Sequence, residues 1–366
     1  MKYYIIAGEA SGDLHGSNLI REIRKLDPDA DIRCWGGDMM QAAGANVVKH
    51  YRDLAFMGFV EVVSNLGTIM RNMRFCKKDI VAFSPDVVVF IDYPGFNIPI
   101  AKFAHGQGFK TIYYISPQVW AWKEGRVKTI REVVDKMLVI LPFEKEFYRK
   151  WNYPVEYVGH PLVQVLDDFK AQYVVPANRK KTIALLPGSR KQEVAKKLPI
   201  MLSVSPYFPD YRFAIAQAPG LDDAFMQPFI SKYPNVEMVQ GKTYELLLQA
   251  DAALVTSGTA TLETALLGIP EVVCYKGSAI SYEIAKRLIK VKYISLVNLI
   301  MDKLVVKELI QNELTTENLH KELKELLFND KRKHQLKDDY AALYSLLSKG
   351  GLASASAAGH IVNMLR

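Results

Sequence analysis

Four turns in this chain combine glycine, hydroxyl and charged residues in ways that suit chemistry on an anion. Residues 252–270, AALVTSGTATLETALLGIP, run from an apolar stretch ending at Val255 through Ser257, Gly258, Thr259 and Thr261 into a helix-forming segment. Free amides and the helix dipole at such a start favour a phosphate by about 0.3 to 1 kcal/mol, and by ~2 when partly buried. The same composition also serves ordinary N-capping. Residues 185–191, LLPGSRK, form a second turn of this kind. There Gly188 and Ser189 offer donors, and the Arg190 guanidinium can fork onto phosphate oxygens. The alternative for Arg190 is an exposed pair with Glu193, which is worth little. Two anion-friendly turns together point to a diphosphate. The other two turns carry carboxylates. Glu9 lies in GEASGD at 8–13, which lacks G-x-G-x-x-G spacing and so argues against a dinucleotide fingerprint. This turn also reads as a tight turn in which Ser11 or Asp13 caps the next helix. Asp92 ends DVVVFID ahead of the rigid turn Tyr93-Pro94-Gly95-Phe96-Asn97. A carboxylate closing an apolar strand is costly without a purpose, although it can also cap a helix.

Positioning these turns requires a strand before each and a helix after it, and the sequence supplies both. Strands are expected at 3–7, 32–35, 86–92, 111–115, 136–141 and 155–158, with helices at 14–25, 98–106, 125–134 and 144–151. Residues 160–181 mix Pro, Asp, Asn and basic residues and read as a boundary. A second set of strands then follows at 183–186, 212–216, 236–239, 252–255 and 272–275, and a charged helical part from 316 is broken at Gly350-Gly351. The expectation is two doubly wound, Rossmann-like α/β domains facing across a cleft, 1–170 and 171–348, with a final helix in 349–366 packing back on the first. Ligands of such sheets sit beyond the carboxyl ends of the strands, where the four turns lie.

Composition narrows the class. Of 366 residues 49% are hydrophobic and 23% charged, which fits folded domains and excludes disorder. Cys34, Cys76 and Cys274 are too scattered for a disulfide framework or a zinc site, and a reducing compartment fits them. The first residues read as a strand and not a secretory segment, and no uncharged apolar run reaches the ~18 residues of a membrane span. The net charge of +8 suits a phosphorylated ligand, an anionic lipid surface or nucleic acid without choosing among them. Asp27, Asp29 and Asp31 have D-x-D spacing but precede a strand, so a solvated turn is expected there and no metal site. His15, His105 and His160 form no ligand pattern. Tyr113 and Tyr114 are expected in the core, while Trp120 and Trp122 suit either a core or an acyl groove. Residues 54–60, LAFMGFV, with Val62, Val63, Leu66, Ile69 and Met70, stand beside Arg71, Arg74, Lys77 and Lys78. Apolar surface next to positive charge suits docking on an anionic membrane, with Phe56, Met57 and Phe59 as the contacts.

Taken together, GEASGD at 8–13, MGFVEV at 57–62, FIDYPGFN at 90–97, YYISPQVWAWKEGR at 113–126, LPFEKEFY at 141–148, VGHPL at 158–162, LLPGSRKQEV at 185–194, SGTATLE at 257–263 and YISLVNLI at 293–300 resemble the lipid-A-disaccharide synthase family. The order and spacing of these motifs cover nearly the whole chain. The resemblance implies a metal-independent, inverting glycosyltransferase of GT-B type that needs no cofactor. It implies transfer of diacylglucosamine from UDP-2,3-diacylglucosamine to 2,3-diacylglucosamine 1-phosphate, giving the β-1,6-linked lipid A disaccharide 1-phosphate and UDP. It further implies a cytoplasmic protein held peripherally at an anionic inner-membrane surface, with no nucleic acid partner and with a homodimer left open. Asp92 matches the family's catalytic aspartate and Glu9 a second functional position, while Arg190, with the turn bearing Ser257, Gly258, Thr259 and Thr261, is the candidate for neutralising charge on UDP as the C–O bond breaks. Glu263 and Asn298 are carried over as donor-binding residues, with the ribose hydroxyls in reach of Glu263. Gly95 stands where some relatives have a second acid, so the base could have stood there instead. Two rival functions share the scaffold, a sugar-nucleotide epimerase and a non-catalytic UDP-sugar or lipid binder.

Overall fold

Tyr3 to Ala7 have no solvent exposure at all, as expected of a parallel strand covered on both faces. They form β1 (Lys2–Ala7), flanked by β2 (Asp31–Gly36) and β4 (Val87–Ile91). With β3 (Asn46–His50), β5 (Lys110–Tyr114), β6 (Lys136–Val139) and β7 (Glu156–Tyr157) they make a seven-stranded sheet in the order β3-β2-β1-β4-β5-β6-β7. Every pairing in it is parallel. Alternate residues of β1 serve opposite faces. Tyr4 and Ile6 join one apolar cluster, and Tyr3, Ile5 and Ala7 the other. Each large side chain removed from water there contributes roughly 1.5 to 3 kcal/mol.

The computed structural model describes residues 1–53, 66–122, 124–278, 282 and 291–366. The chain divides into two units, Met1–Pro161 with Leu347–Arg366, and Leu162–Leu346. In the first unit the helix Ala353–Leu365 packs on the helix Ala10–Leu26, with Ala357, Ala358 and Ile361 entering the cluster of Tyr3 and Ile5. Small residues on that face allow close approach. The second unit holds a six-stranded parallel sheet of β8 (Thr182–Leu186), β9 (Arg212–Gln217), β10 (Val236–Gln240), β11 (Ala252–Thr256), β12 (Glu271–Tyr275) and β13 (Lys307–Ile310). Its order is β10-β9-β8-β11-β12-β13. In both sheets the chain works outward over three strands and then crosses back, so the order reverses between β1 and β4 and between β8 and β11. Ligand crevices of doubly wound sheets open at such reversals.

The structure departs from the sequence reading in several places. Residues 94–97, expected as part of a rigid turn, are the first turn of the helix Pro94–Gly106, because Pro94 suits a first helical position. The first helix begins at Ala10, so Ser11, Gly12 and Asp13 lie within it and not in a turn before it. Neither Ser11 nor Asp13 caps that helix. The buried Asp13 carboxylate instead accepts from Gly37 N at 2.7 Å and from Met39 N and Met40 N at 3.1 Å, satisfying the start of the helix Asp38–Ala42. Residues 161–172, placed within the boundary, form the helix Pro161–Gln172. Pro161 suits a first helical turn, and Leu162, Val163 and Leu166 are buried along it. The strands β3 and β13 are absent from the sequence reading because each offers only two consecutive apolar residues beside charged or polar ones.

Candidate functional site

At the reversal in the first sheet, Ala7 pairs with Ile91, so the turns after β1 and β4 leave the sheet side by side. Glu9 follows Ala7 by two residues and is the N-cap of the helix Ala10–Leu26. Asp92 follows Ile91 directly, and Tyr93 caps the helix Pro94–Gly106, whose first position is a proline preset for helical φ. The two turns interlock. The Tyr93 ring lies against Gly8, and a Cβ at Gly8 would fall inside that ring, so only glycine permits the approach. Both carboxylates are half-buried at the strand edge.

Burial pushes the Asp92 carboxyl up to about 6, the Glu9 charge adds to the rise, and a hydrogen bond from the Tyr93 backbone opposes it. A carboxylate with that affinity can accept a proton near neutrality and release it again, which is the requirement for a general base. The structure thus brings Glu9 and Asp92 together. Gly95 is exposed at the helix start with open space around its Cα.

In the second unit the equivalent reversal opens into a cavity of about 610 Å³. Its walls come from the turns after four strands: Leu186, Gly188 and Ser189; Gln217 to Pro219; Gly241, Thr243 and Tyr244; and Thr256 to Ala260 with Glu263. Gly258 is the N-cap of the helix Thr259–Leu266 and has no side-chain cap, and Gly258, Thr259 and Ala260 at this helix start line the cavity. Gly188 has φ +114°, a conformation that a side chain would strain. Glu263, one turn into the helix, accepts from Tyr244 Oη at 2.9 Å. Burial raises the Glu263 carboxyl and that hydrogen bond opposes the rise. Tyr244 in turn packs edge-on against Phe169 at 5.3 Å.

Three residues expected to bind the donor do not line this cavity. Arg190 is the N-cap residue of the helix Lys191–Leu202, with an exposed side chain whose Nη1 lies 3.4 Å from Glu193 Oε1. Thr261 is fully buried and its Oγ1 donates to Gly258 O at 2.9 Å, bracing the turn from within. Asn298 is also fully buried. Its Nδ2 donates to Val306 O and Glu308 Oε1, both at 2.8 Å, and its Oδ1 accepts from Val305 N and Val306 N. Glu308 also takes the amides of Ile294 and Ser295, and Ile294 O accepts from Ser257 Oγ at 2.8 Å. Asn298 therefore supports Ser257 through this chain of bonds from behind the cavity wall. Phe56, Met57 and Phe59 lie outside the described residues.

The remaining candidates have structural settings. Asp27 takes the N-terminal ammonium and Tyr3 Oη, each at 2.9 Å. Burial pushes His15 down to about 4 and His160 to about 3, the latter lowered further by His15. Among the described residues no group of three or more His, Cys, Asp or Glu side chains could hold a metal. The three cysteines are buried and unbridged. Tyr113 and Tyr114 are in the core, Trp120 is buried and Trp122 is exposed. Tyr244, Thr256 and Gln217 line the cavity without having been singled out in the sequence, although each closes or follows a strand.

Two doubly wound parallel sheets, each with its ligand-competent turns at the carboxyl edge, define a GT-B type α/β fold. Solved structures share it: UDP-GlcNAc 2-epimerase from Neisseria meningitidis bound to UDP-GlcNAc (TM-score 0.66, 14% identity, covering 100% of this chain and 99% of that one) and the glycotransferase of kitacinnamycin (TM-score 0.67, 15% identity, covering 100% and 99%). At such identities the likeness is one of fold. Residues 3–362 match the family model described as lipid-A-disaccharide synthetase. The lipid-A-disaccharide synthases of Syntrophus aciditrophicus and Geobacter sulfurreducens are 41% and 38% identical, over 96% and 99% of this chain and 95% and 96% of theirs. The chain belongs to the lipid-A-disaccharide synthetase family, and with it to the glycosyltransferases of lipid A biosynthesis.

Proposed function

We propose that Asp92 is the general base for transfer of diacylglucosamine from UDP-2,3-diacylglucosamine to the 6-hydroxyl of 2,3-diacylglucosamine 1-phosphate. The observation that carries this reading is the desolvated Asp92 carboxyl beside Glu9 at the reversal of the first sheet, raised to about 6. Asp92 takes the hydroxyl proton as the acceptor oxygen attacks the anomeric carbon. The bond from that carbon to the β-phosphate oxygen breaks on the opposite face, and UDP leaves with the electron pair. Inversion gives the β-1,6 linkage, and Asp92 then returns its proton to water. Glu9 sustains the affinity of Asp92 for the proton and orients the acceptor.

The second unit holds UDP. Ser257, Gly258 and Thr259 offer donors to the diphosphate, and Glu263 accepts from the ribose hydroxyls. Arg190 neutralises charge on the leaving group as it departs. Thr261 and Asn298 act on the donor through the turn they brace. Gly95 offers no side chain for an alternative base.

The acyl chains require access to a membrane, and the protein docks peripherally on the cytoplasmic face of the inner membrane. Support comes from the helix Leu66–Phe83, where Leu66, Met70 and Phe75 are exposed among Arg71, Arg74 and Lys78. No helix of the described residues is long and apolar enough to cross a membrane.

The test of function is incubation with acylated UDP-glucosamine, with and without the acylated sugar phosphate. Disaccharide with acceptor-dependent release of UDP is expected. An epimer formed from UDP-N-acetylglucosamine alone, or binding without turnover, would reject this reading.

A further inference from the structure

Asp92 and Tyr93 are held in a left-handed backbone conformation that an aspartate enters with some ease but a bulky tyrosine only under constraint. The φ of Asp92 is +42° and that of Tyr93 is +49°, two consecutive left-handed residues whose Cβ atoms crowd their own main chain. Such conformations persist where the surroundings over-determine them. Here two fully buried side chains converge on one oxygen. Tyr113, on β5, donates Oη–H to the Asp92 main-chain carbonyl at 2.6 Å. Asn97, in the helix after Asp92, donates Nδ2–H to the same carbonyl at 2.7 Å and reaches Ile91 O at 3.2 Å. A single donor would satisfy that carbonyl against desolvation, so the second donor adds direction. On the other side of the turn the Tyr93 ring is seated on Gly8.

We propose that Tyr113 and Asn97 are positioning residues for glycosyl transfer, clamping the Asp92 peptide so that its carboxylate stays fixed at the strand edge beside Glu9, a role that rests on Asp92 being the base. Neither side chain touches substrate in this role; both act through the main chain of a neighbour. The ionisable groups that face Asp92 are Glu9 on the first turn, Tyr93 beside it and Tyr113 on the adjacent strand, with Arg126 acting on Tyr113. Burial, followed by the Asp92 charge, pushes the Tyr113 phenol far above its ordinary value, so it remains a donor throughout the working pH range.

The clamp is tested with Tyr113→Phe, which keeps the ring and removes one donor. Asn97→Ala removes the other and serves should the first variant fail to fold. For each, kcat, both KM values, UDP affinity and the pH dependence of turnover are measured, alone and combined with Asp92→Asn. Tyr113→Phe is expected to lower kcat by about 10- to 100-fold through misplacement of the base, with both KM values and UDP affinity unchanged. The acidic limb should move below its wild-type midpoint, because a released carboxylate regains water. In the Asp92→Asn background the same substitution should cost nothing further. Wild-type kcat with an unmoved acidic limb in both single variants would overturn the clamp. So would a loss that multiplies with that of Asp92→Asn, since the hydroxyl would then act independently of Asp92. Full turnover by Asp92→Asn alone would overturn the reading of Asp92 underneath it, a result distinct from the other two.

Discussion

The two sheets repeat one strand order, which allows the same two turns to be compared across units. The first and fourth strands of each sheet pair side by side, ending at Ala7 with Ile91 in one unit and at Leu186 with Val255 in the other. Two residues beyond the first strand stands Glu9 in one unit and Gly188 in the other. One residue beyond the last paired position of the fourth strand stands Asp92 in one and Thr256 in the other. The topology therefore offers the same pair of places twice, and the side chains decide the chemistry. The first unit fills them with two carboxylates, and Asp92 is raised chiefly by burial and further by the Glu9 charge. The second fills them with a glycine at positive φ and a hydroxyl residue, next to a helix start that has no side-chain cap. In the proposed division of labour, the first edge takes the proton and the second receives the negative charge.

The largest effect that can break this contrast comes from neutralising one carboxyl. Asp92→Asn should lower turnover by roughly 10²- to 10⁴-fold, the usual worth of a positioned base, while UDP binding measured by calorimetry stays at the wild-type value. Weakened UDP binding in this variant would mean that the two edges do not divide the labour as described. On the other edge, Glu263→Gln removes a charged acceptor held by Tyr244. Donor KM should rise about tenfold or more, as expected when a hydrogen bond to a charged group is lost, with the pH profile of turnover unmoved. A shifted profile would place Glu263 in proton transfer.

The smallest effect sharpens what a raised carboxyl means. Glu271, the first residue of β12, is buried, and among the described residues neither of its carboxyl oxygens has a hydrogen-bond partner. Burial raises it well above its ordinary value of 4.5. Because the folded state then binds the proton more tightly than the unfolded one, stability falls as pH rises from that ordinary value toward the raised one. Glu271→Gln should flatten this slope in pH-dependent thermal melts and leave activity alone. It stands at the start of its strand, opposite the edge that bears the cavity. A fall in activity equal to that of Asp92→Asn would remove the distinction between the two carboxyls.

Much of this was legible in the chain because strand-to-helix turns leave local marks. Val255 followed by Ser257 and Gly258, or Ile91 followed by Asp92 and Pro94, encodes a strand, a stop and a helix start within a few residues. Partnerships across the fold leave no such mark. Nothing beside Asn298 in the sequence announces that all of its hydrogen-bonding capacity goes to Val305, Val306 and Glu308. Asp13 reads as the cap of its own helix, yet it serves one that starts twenty-five residues later, because the sheet order brings Gly37 beside it. Tyr244 and Gln217 enter the cavity through their place at strand ends, while their own residue types would suit any half-buried surface.

The most direct test of the carboxylate pair is the pH dependence of turnover in the wild type and in Glu9→Gln. The wild type should lose activity as pH falls through about 6, where Asp92 takes up its proton. Glu9→Gln removes a negative neighbour that holds this value up, so its acidic limb should lie at lower pH. A limb that stays in place, or moves to higher pH, would contradict the assignment of Asp92, raised by Glu9, as the base.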